Sequence, residues 1–112
     1  MAIHDYEPVI SLTDQDFQEQ VLDSVQTVLV LFETEWQGST HILMPVMQYL
    51  AAKYRGRLKV YKMDMDTNQR TPELYGISDR VSLLLFKRGK LMHNITGMTD
   101  RENLEEKIIE LL

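Results

Sequence analysis

The chain has 112 residues, of which 44% are apolar, with no cysteine and a formal net charge of −5 at pH 7. This length and apolar content predict a single globular domain over residues 1–112 rather than a disordered chain. The absence of cysteine excludes disulfides, thiolate catalysis and thiolate metal sites, and the negative charge argues against nucleic-acid binding, which needs clustered Lys and Arg.

Signals for a membrane, for export and for a metal are missing from the sequence. No apolar run approaches the roughly 20 residues that span a bilayer, so we expect no membrane association. Met1–Glu7 has no basic segment followed by an apolar one, so we expect no secretory signal and a cytoplasmic protein. His4, His41 and His93 lack the spacing of metal ligands, and we expect neither a metal nor another cofactor.

The first elements of the chain are a short strand and a helix. Val9–Ile10 is a short apolar piece that predicts an outer strand. Thr13 is suited to cap a helix, and Leu12 and Phe17 have the spacing of a hydrophobic staple around that cap. Asp14 then falls in the first turn of this helix, where the helix dipole favours negative charge.

The next stretch predicts a central strand followed by a long helix. Val28–Phe32 is an apolar run whose length suits a strand buried on both faces. Beyond the polar connection Trp36–Thr40, apolar residues repeat at helical spacing, at Leu43, Val46, Met47, Leu50 and Tyr54. Pro45 should kink this helix and Gly56 should end it. Unpaired backbone N–H groups at such a strand-to-helix junction favour negative charge.

The second half of the chain predicts three more strands. Leu58–Met65 and Val81–Phe86 have strand patterns, and Asp66–Ile77 between them predicts a loop and a short helix. Lys87–Lys90 is a tight turn in which a glycine is available for positive φ. Leu91–Thr96 then returns as an antiparallel edge strand.

The last element is a helix, and it completes the order β-α-β-α-β-α-β-β-α. Thr99–Glu102 has the pattern of a capping box. One face of the helix is apolar, at Leu104, Ile108, Leu111 and Leu112. The alternation of strands and helices predicts an α/β fold with parallel strands, helices on both faces and an antiparallel edge from the final hairpin.

The connection Trp36-Gln37-Gly38-Ser39-Thr40 resembles the redox loop of the thioredoxin family, Trp-Cys-Gly-Pro-Cys, which also joins a central strand to a long helix. The resemblance covers nearly the whole chain. The family has a proline at the point of Pro45 and a segment that ends Tyr-Gly-Ile, as at Tyr75-Gly76-Ile77. This resemblance implies a thioredoxin fold with a central mixed sheet.

The chain departs from the family pattern at each redox position. Gln37 and Thr40 stand where the family has its two cysteines, and Ser39 stands where the motif has its proline. Leu31 matches the family's buried aspartate. An amide and a hydroxyl cannot exchange disulfides, so the resemblance implies the scaffold of thiol–disulfide oxidoreductases without their activity, and we expect no enzyme.

A further departure concerns the family's cis-proline, which faces the loop. The family's Ile-Pro-Thr matches Arg80-Val81-Ser82, so Val81 replaces the proline. A cis bond before a residue other than proline costs about 2.5–4 kcal/mol. We therefore expect the Arg80–Val81 bond to be trans, although tertiary packing sometimes holds a costly cis bond.

The family's substrate-facing groove suggests where a partner would bind. It maps onto Trp36, Met65, Arg80, Val81, Thr96, Gly97 and Met98. Aromatic, Met and Arg residues are enriched at protein interfaces, but Met65 and Met98 can equally fill gaps in the core. We expect a redox-inactive adaptor, chaperone or assembly factor that binds another protein, and the same surface also suits a homodimer.

An alternative is a non-redox enzyme that handles a small molecule or glutathione at Ser39-Thr40-His41. Nucleophilic catalysis needs a hydroxyl and a base within hydrogen-bond reach. Neighbouring residues on a helix point apart, so Thr40 and His41 do not meet that need. The competing interpretation is that Ser39 or Thr40 caps the helix and that His41 is solvated.

Overall fold

The computed structural model describes residues 9–34, 39–77, 81–97 and 99–112, with only the backbone described for residues 39–41. The strands are β1 (Ile10–Ser11), β2 (Thr27–Glu33), β3 (Leu58–Asp64), β4 (Ser82–Lys87) and β5 (Lys90–Thr96). The helices are a π-helix (Gln18–Leu22), α1 (Ser39–Lys53), α2 (Arg70–Leu74) and α3 (Arg101–Leu111). The nine predicted elements are therefore present in the predicted order.

The strands form one mixed sheet in the order β1-β3-β2-β4-β5. β2 and β3 run parallel in register from Thr27 opposite Leu58 to Glu33 opposite Asp64. The prediction that the strands linked by helices are all parallel is wrong for β4, which runs antiparallel to β2 and to β5. β4 starts with Ser82 beside Phe32, near the end of the sheet where β3 finishes. The segment that joins β3 to β4 therefore does not have to run back along the length of the sheet, and the short helix α2 is enough to make this connection.

β2 lies at the centre of the core and is buried on both faces, as predicted. Leu29 and Leu31 face one cluster together with α1 and α3. Val28, Val30 and Phe32 face the other cluster, which includes residues of the π-helix. Most of the apolar residues predicted to form the stripes of α1 and α3 are buried, whereas Val46 and Leu112 are only half-buried. The buried ones are Leu43, Met47 and Leu50 of α1, Tyr54 just beyond it, and Leu104, Ile108 and Leu111 of α3.

The helix predicted near Thr13 is present but has a different form. Thr13 accepts a hydrogen bond through Oγ1 from the Asp16 N–H at 3.2 Å, and Leu12 and Phe17 share one core cluster. The regular part is a π-helix, in which the Asp23 N–H donates to the Gln18 carbonyl at 2.9 Å. This bond joins residues five apart, so the turn is wider than the expected α-helix.

α1 forms the helix after the central strand and continues through Pro45. Gly56 follows it at φ +86°, a conformation that glycine adopts without steric cost. Although α1 has 15 residues, none of the helices in the described ranges is both long and apolar enough to cross a membrane.

α3 is capped one residue later than predicted. The side chain of Asp100 accepts a hydrogen bond from the Asn103 N–H at 2.8 Å, which makes Asp100 the N-cap. Thr99 instead accepts from the Asn103 side-chain amide at 2.9 Å. The predicted capping box from Thr99 to Glu102 is thus replaced by a cap from a carboxylate, which also suits the positive end of the helix.

Asp14 was predicted to stabilise the first turn of its own helix, but in the structure it caps α2. Its carboxylate accepts hydrogen bonds from the Thr71 N–H at 2.8 Å and from the Arg70 N–H at 3.2 Å. Its own N–H donates to Asn68 Oδ1 at 2.9 Å. Burial acts to raise the pKa of the Asp14 carboxyl, but the bonds from Thr71 and Arg70 outweigh it, so the pKa lies below its ordinary value.

We expect Asp14→Ala to lower the free energy of unfolding by about 1–2 kcal/mol at pH 7, the usual cost of a lost N-cap. Because the folded-state pKa is lowered, this stabilisation is complete above the pKa of the unfolded chain and is lost as pH falls through the folded value. Urea unfolding at a series of pH values should therefore show the two proteins converging below about pH 4.

Asp16→Ala is the matched control, since Asp16 is exposed and its described hydrogen bonds involve only its backbone N–H and carbonyl, not its carboxylate. Its effect should stay within about 0.5 kcal/mol. An Asp14→Ala variant as stable as Asp16→Ala at pH 7 would contradict the role of Asp14 as a cap. A stability difference between Asp14→Ala and the unmodified chain that grows in acid would also contradict it.

Candidate functional site

The strand-to-helix junction lies where the sequence predicted it. β2 ends at Glu33, and Ser39 and Thr40 are the first two residues of α1. Trp36, Gln37 and Gly38 lie outside the described residues, so their placement at the mouth of this junction stays a prediction. The described part of the junction thus gives the end of the strand and the start of the helix.

Leu31 is fully buried below this junction. It belongs to the core cluster that contacts α1 and α3. On the neighbouring strands it stands opposite Leu83 of β4 and Lys62 of β3. A leucine at this depth adds apolar burial worth about 1.5–3 kcal/mol, whereas an unpaired carboxylate here would carry a desolvation cost.

The fold brings Val81, Thr96 and Gly97 together beside the same end of the sheet. The Gly97 N–H donates to the Val81 carbonyl at 2.9 Å, with Gly97 at φ +88°. Thr96 is exposed at the end of β5, opposite Ser82. Val81 itself is buried in the core. This part of the predicted groove therefore offers backbone and the Thr96 side chain rather than a large apolar side chain.

The remaining groove residues divide between the core and the undescribed part of the chain. The Met65 N–H donates to the Glu33 carbonyl at 2.8 Å, which holds Met65 next to the end of β2. Its side chain is buried in a core cluster, so for Met65 the structure favours the gap-filling alternative. Arg80 and Met98 lie outside the described residues, and the trans geometry expected for the Arg80–Val81 bond stays a prediction.

The first turns of α1 carry exposed apolar surface that the sequence interpretation did not assign to the site. Ile42 is 61% exposed, and Pro45 is exposed one turn further along. Val46 and Tyr49 are half-buried and continue this stripe at helical spacing. The signal was present in the sequence, because Ile42 is apolar yet falls outside the buried repeat that starts at Leu43.

The alternative site at Ser39-Thr40-His41 is described only by its backbone, which opens α1. Its hypothesis of a non-redox enzyme therefore stays a prediction. Elsewhere in the described ranges, no group of three or more His, Cys, Asp or Glu side chains is arranged to hold a metal ion.

Comparison with known proteins agrees with this geometry. A family model described as thioredoxin matches residues 8–110. A thioredoxin of Pseudomonas aeruginosa is 36% identical over 98 residues, which is 88% of this chain and 91% of the relative. A thioredoxin of Staphylococcus aureus is 35% identical over 98 residues, with 88% and 92% covered. Thioredoxin M4, chloroplastic, of Arabidopsis thaliana is 35% identical over 104 residues, with 93% and 54% covered. The chain belongs to the thioredoxin family.

Proposed function

We propose that this chain is a redox-inactive member of the family that binds another protein and acts as an adaptor, chaperone or assembly factor. One observation carries the proposal: the family fold is kept although no cysteine is present in the 112 residues. Gln37 and Thr40 replace both redox cysteines, and neither an amide nor an aliphatic hydroxyl exchanges disulfides. Leu31 supports it as well, because its buried apolar side chain cannot move a proton.

The surface that we propose for the partner combines the groove predicted from the sequence with the exposed start of α1. In the groove, the Gly97 N–H donates to the Val81 carbonyl, and Thr96 lies opposite Ser82 on the neighbouring strand. At the start of α1, Ile42 adds exposed apolar surface. Trp36 is the aromatic residue that we expect to anchor the contact. A homodimer through this surface and a cytoplasmic location both stay predictions.

The absence of thiol chemistry can be tested in an insulin-reduction assay with added reductant. We expect no turnover above the uncatalysed background, because the reaction needs a thiolate that attacks the disulfide. The thioredoxin of Pseudomonas aeruginosa serves as the positive control. Turnover by this chain would contradict the redox-inactive part of the proposal.

The partner surface can be tested by affinity capture from the native cell extract with three variants. Ile42→Ser and Trp36→Ala should each reduce the recovery of the same captured protein, with an affinity loss of about tenfold for a residue that contributes to the contact. Ile109→Ser is the matched control, since Ile109 on α3 is 58% exposed against 61% for Ile42.

Equal recovery with Ile42→Ser, Trp36→Ala and Ile109→Ser would contradict the proposed surface. Equal losses with all three variants would also contradict it, because they would indicate general surface hydrophobicity rather than a defined contact. Circular dichroism of each variant should match the unmodified chain, which for Ile42→Ser and Ile109→Ser follows from the exposure of both side chains.

A further inference from the structure

The charges of this chain are divided along the sequence. Every one of its 12 lysines and arginines lies at or after Lys53, although acidic residues occur throughout. β2 and β3 run parallel and finish with the register pair Glu33 and Asp64, both acidic. The opposite end of the sheet, where these strands begin, is therefore where cations can gather.

That opposite end, which we call the basal end, consists of the starts of β2, β3 and β5 and the end of β4. An open pocket of about 250 Å³ lies there. Its lining includes Val25, Thr27, Arg57, Lys87, Arg88 and Leu112. Three cationic side chains thus surround one pocket in a protein whose net charge is negative.

The strand register explains how these cations converge. Arg57 directly precedes Leu58, which lies opposite Thr27 on one side of β2. Lys87 follows Phe86, which lies opposite Val28 on the other side. The two cations therefore flank the start of β2 about two strand spacings apart, or about 10 Å between backbones. Both residues line the pocket that lies there.

None of the three cations forms an ion pair with another residue in the described ranges. Lys53, by contrast, pairs with Glu105 at 2.5 Å. The negative end of α3 at Leu111 also borders the pocket, but three cations without an ion pair outweigh its partial charge and favour an anionic ligand.

Arg88 occupies a backbone conformation that glycine and asparagine favour. It sits at φ +51° in the two-residue turn between β4 and β5 and is followed by Gly89 at φ +78°. Turns with both central residues at positive φ select Asn-Gly or Gly-Gly, so an arginine here costs conformational free energy. A role for the Arg88 guanidinium at the pocket accounts for this conformational cost.

We propose that the basal pocket binds an acidic segment of a partner polypeptide that carries an apolar residue between its carboxylates. The cations match the carboxylates, and Val25, which is 76% exposed beside them, matches the apolar residue. Inorganic phosphate would leave Val25 uncovered. A nucleic-acid strand would meet the net negative charge of the rest of the protein and would find no aromatic side chain in the pocket lining on which to stack a base.

This pocket is separate from the surface proposed for the partner at the start of α1. The two lie at opposite ends of β2, and a strand of 7 residues spans roughly 20 Å. The molecule can therefore hold two segments at once, which is the geometry an adaptor needs. Loss of either surface leaves the other unchanged, so the two proposals fail independently.

The test is fluorescence anisotropy of the labelled short peptide Glu-Glu-Leu-Glu-Glu with the whole chain. We expect binding that weakens severalfold between about 0.05 M and 0.5 M salt, as for charges that remain partly exposed. The peptides Gln-Gln-Leu-Gln-Gln and Glu-Glu-Ser-Glu-Glu should bind more weakly, since each lacks one of the two matched features.

The decisive comparison is between two double variants that each remove two positive charges. Arg57→Ser with Arg88→Gly should weaken binding by about tenfold or more, and the glycine suits the positive φ, so the fold is retained. Arg70→Ser with Arg101→Ser should change it by less than about twofold, since neither residue lines the pocket and Arg101 begins α3 at the end away from Leu111.

Three results would overturn the proposal. Equal weakening by both double variants would mean that only net charge matters. Inorganic phosphate that displaces the peptide at equal concentration would make the pocket a small-anion site. Single-stranded DNA of equal charge that binds more tightly than the peptide would make it a polyanion site.

Discussion

Leu31→Asp is expected to lower the free energy of unfolding by at least about 4 kcal/mol at pH 7, a large part of the 5–15 kcal/mol typical of a domain. The substitution removes a fully buried apolar side chain and places a carboxylate in the core beside Leu83. Restoring the family's acidic residue without the thiols should therefore harm this chain. Urea unfolding followed by circular dichroism measures the loss.

The charge part of this loss should depend on pH with a defined sign. Burial raises the folded-state pKa of the introduced carboxyl above its unfolded value of about 3.9. The part of the loss that is due to the buried charge is therefore absent below about pH 4. It grows by up to about 1.4 kcal/mol per pH unit until the pH reaches the folded-state pKa. Leu31→Asn, which has a similar shape and no charge, is the control and should show no such growth.

Lys62 provides an internal check on this expectation. It is half-buried on β3 in register with Leu31, so its ammonium can offset part of the introduced charge. Adding Lys62→Met to Leu31→Asp should then destabilise the protein further at pH 7, whereas Lys62→Met alone should have a small effect. A Leu31→Asp variant as stable as the unmodified chain at pH 7 would contradict the expected cost of burying a carboxylate at this position.

The patterns that were predictable from the sequence are those set by local spacing. The continuous apolar run at Val28–Phe32 specifies a strand with cover on both faces, and Leu29 and Phe32 indeed contact opposite clusters. The repeat that starts at Leu43 specifies the buried face of α1. Both signals depend on residues within a few turns of one another, so no tertiary information was needed.

The features that were missed depend on residues far apart in the chain. Asp14 caps α2 through Thr71, which lies 57 positions away, so local spacing placed it in the wrong helix. The direction of β4 depends on which end of β2 the chain reaches after α2. Neither depends on periodicity, which determines the type of element but not its tertiary partner.

The sequence predicted the parts of the candidate site whose positions are set by the central strand β2. The junction between β2 and α1 and the burial of Leu31 agree with the sequence interpretation. The exposure of individual side chains was not predictable, because a methionine or valine suits a core and an interface equally. Met65 proves to be buried and Ile42 exposed, and only the packing around each one decides this.

Gly89→Ala is expected to destabilise the protein by about 3 kcal/mol through two separate effects. An alanine at φ +78° is strained, which accounts for about 1 kcal/mol. Its Cβ would also lie 2.3 Å from the carbonyl oxygen of Leu22 at the end of the π-helix, where only backbone movement gives relief. This hairpin turn packs directly on the π-helix, so the strain extends into both elements.

Gly76→Ala separates the two effects, since Gly76 has a similar φ of +68° but no atom within 4 Å of the Cβ position. It should cost only the conformational part, about 1 kcal/mol, in the same urea titration. The difference between the two variants, about 2 kcal/mol, then measures the close approach of the turn to Leu22. Equal losses would mean that this contact relaxes without cost, because the turn would be able to move away from the π-helix while β4 and β5 keep their register.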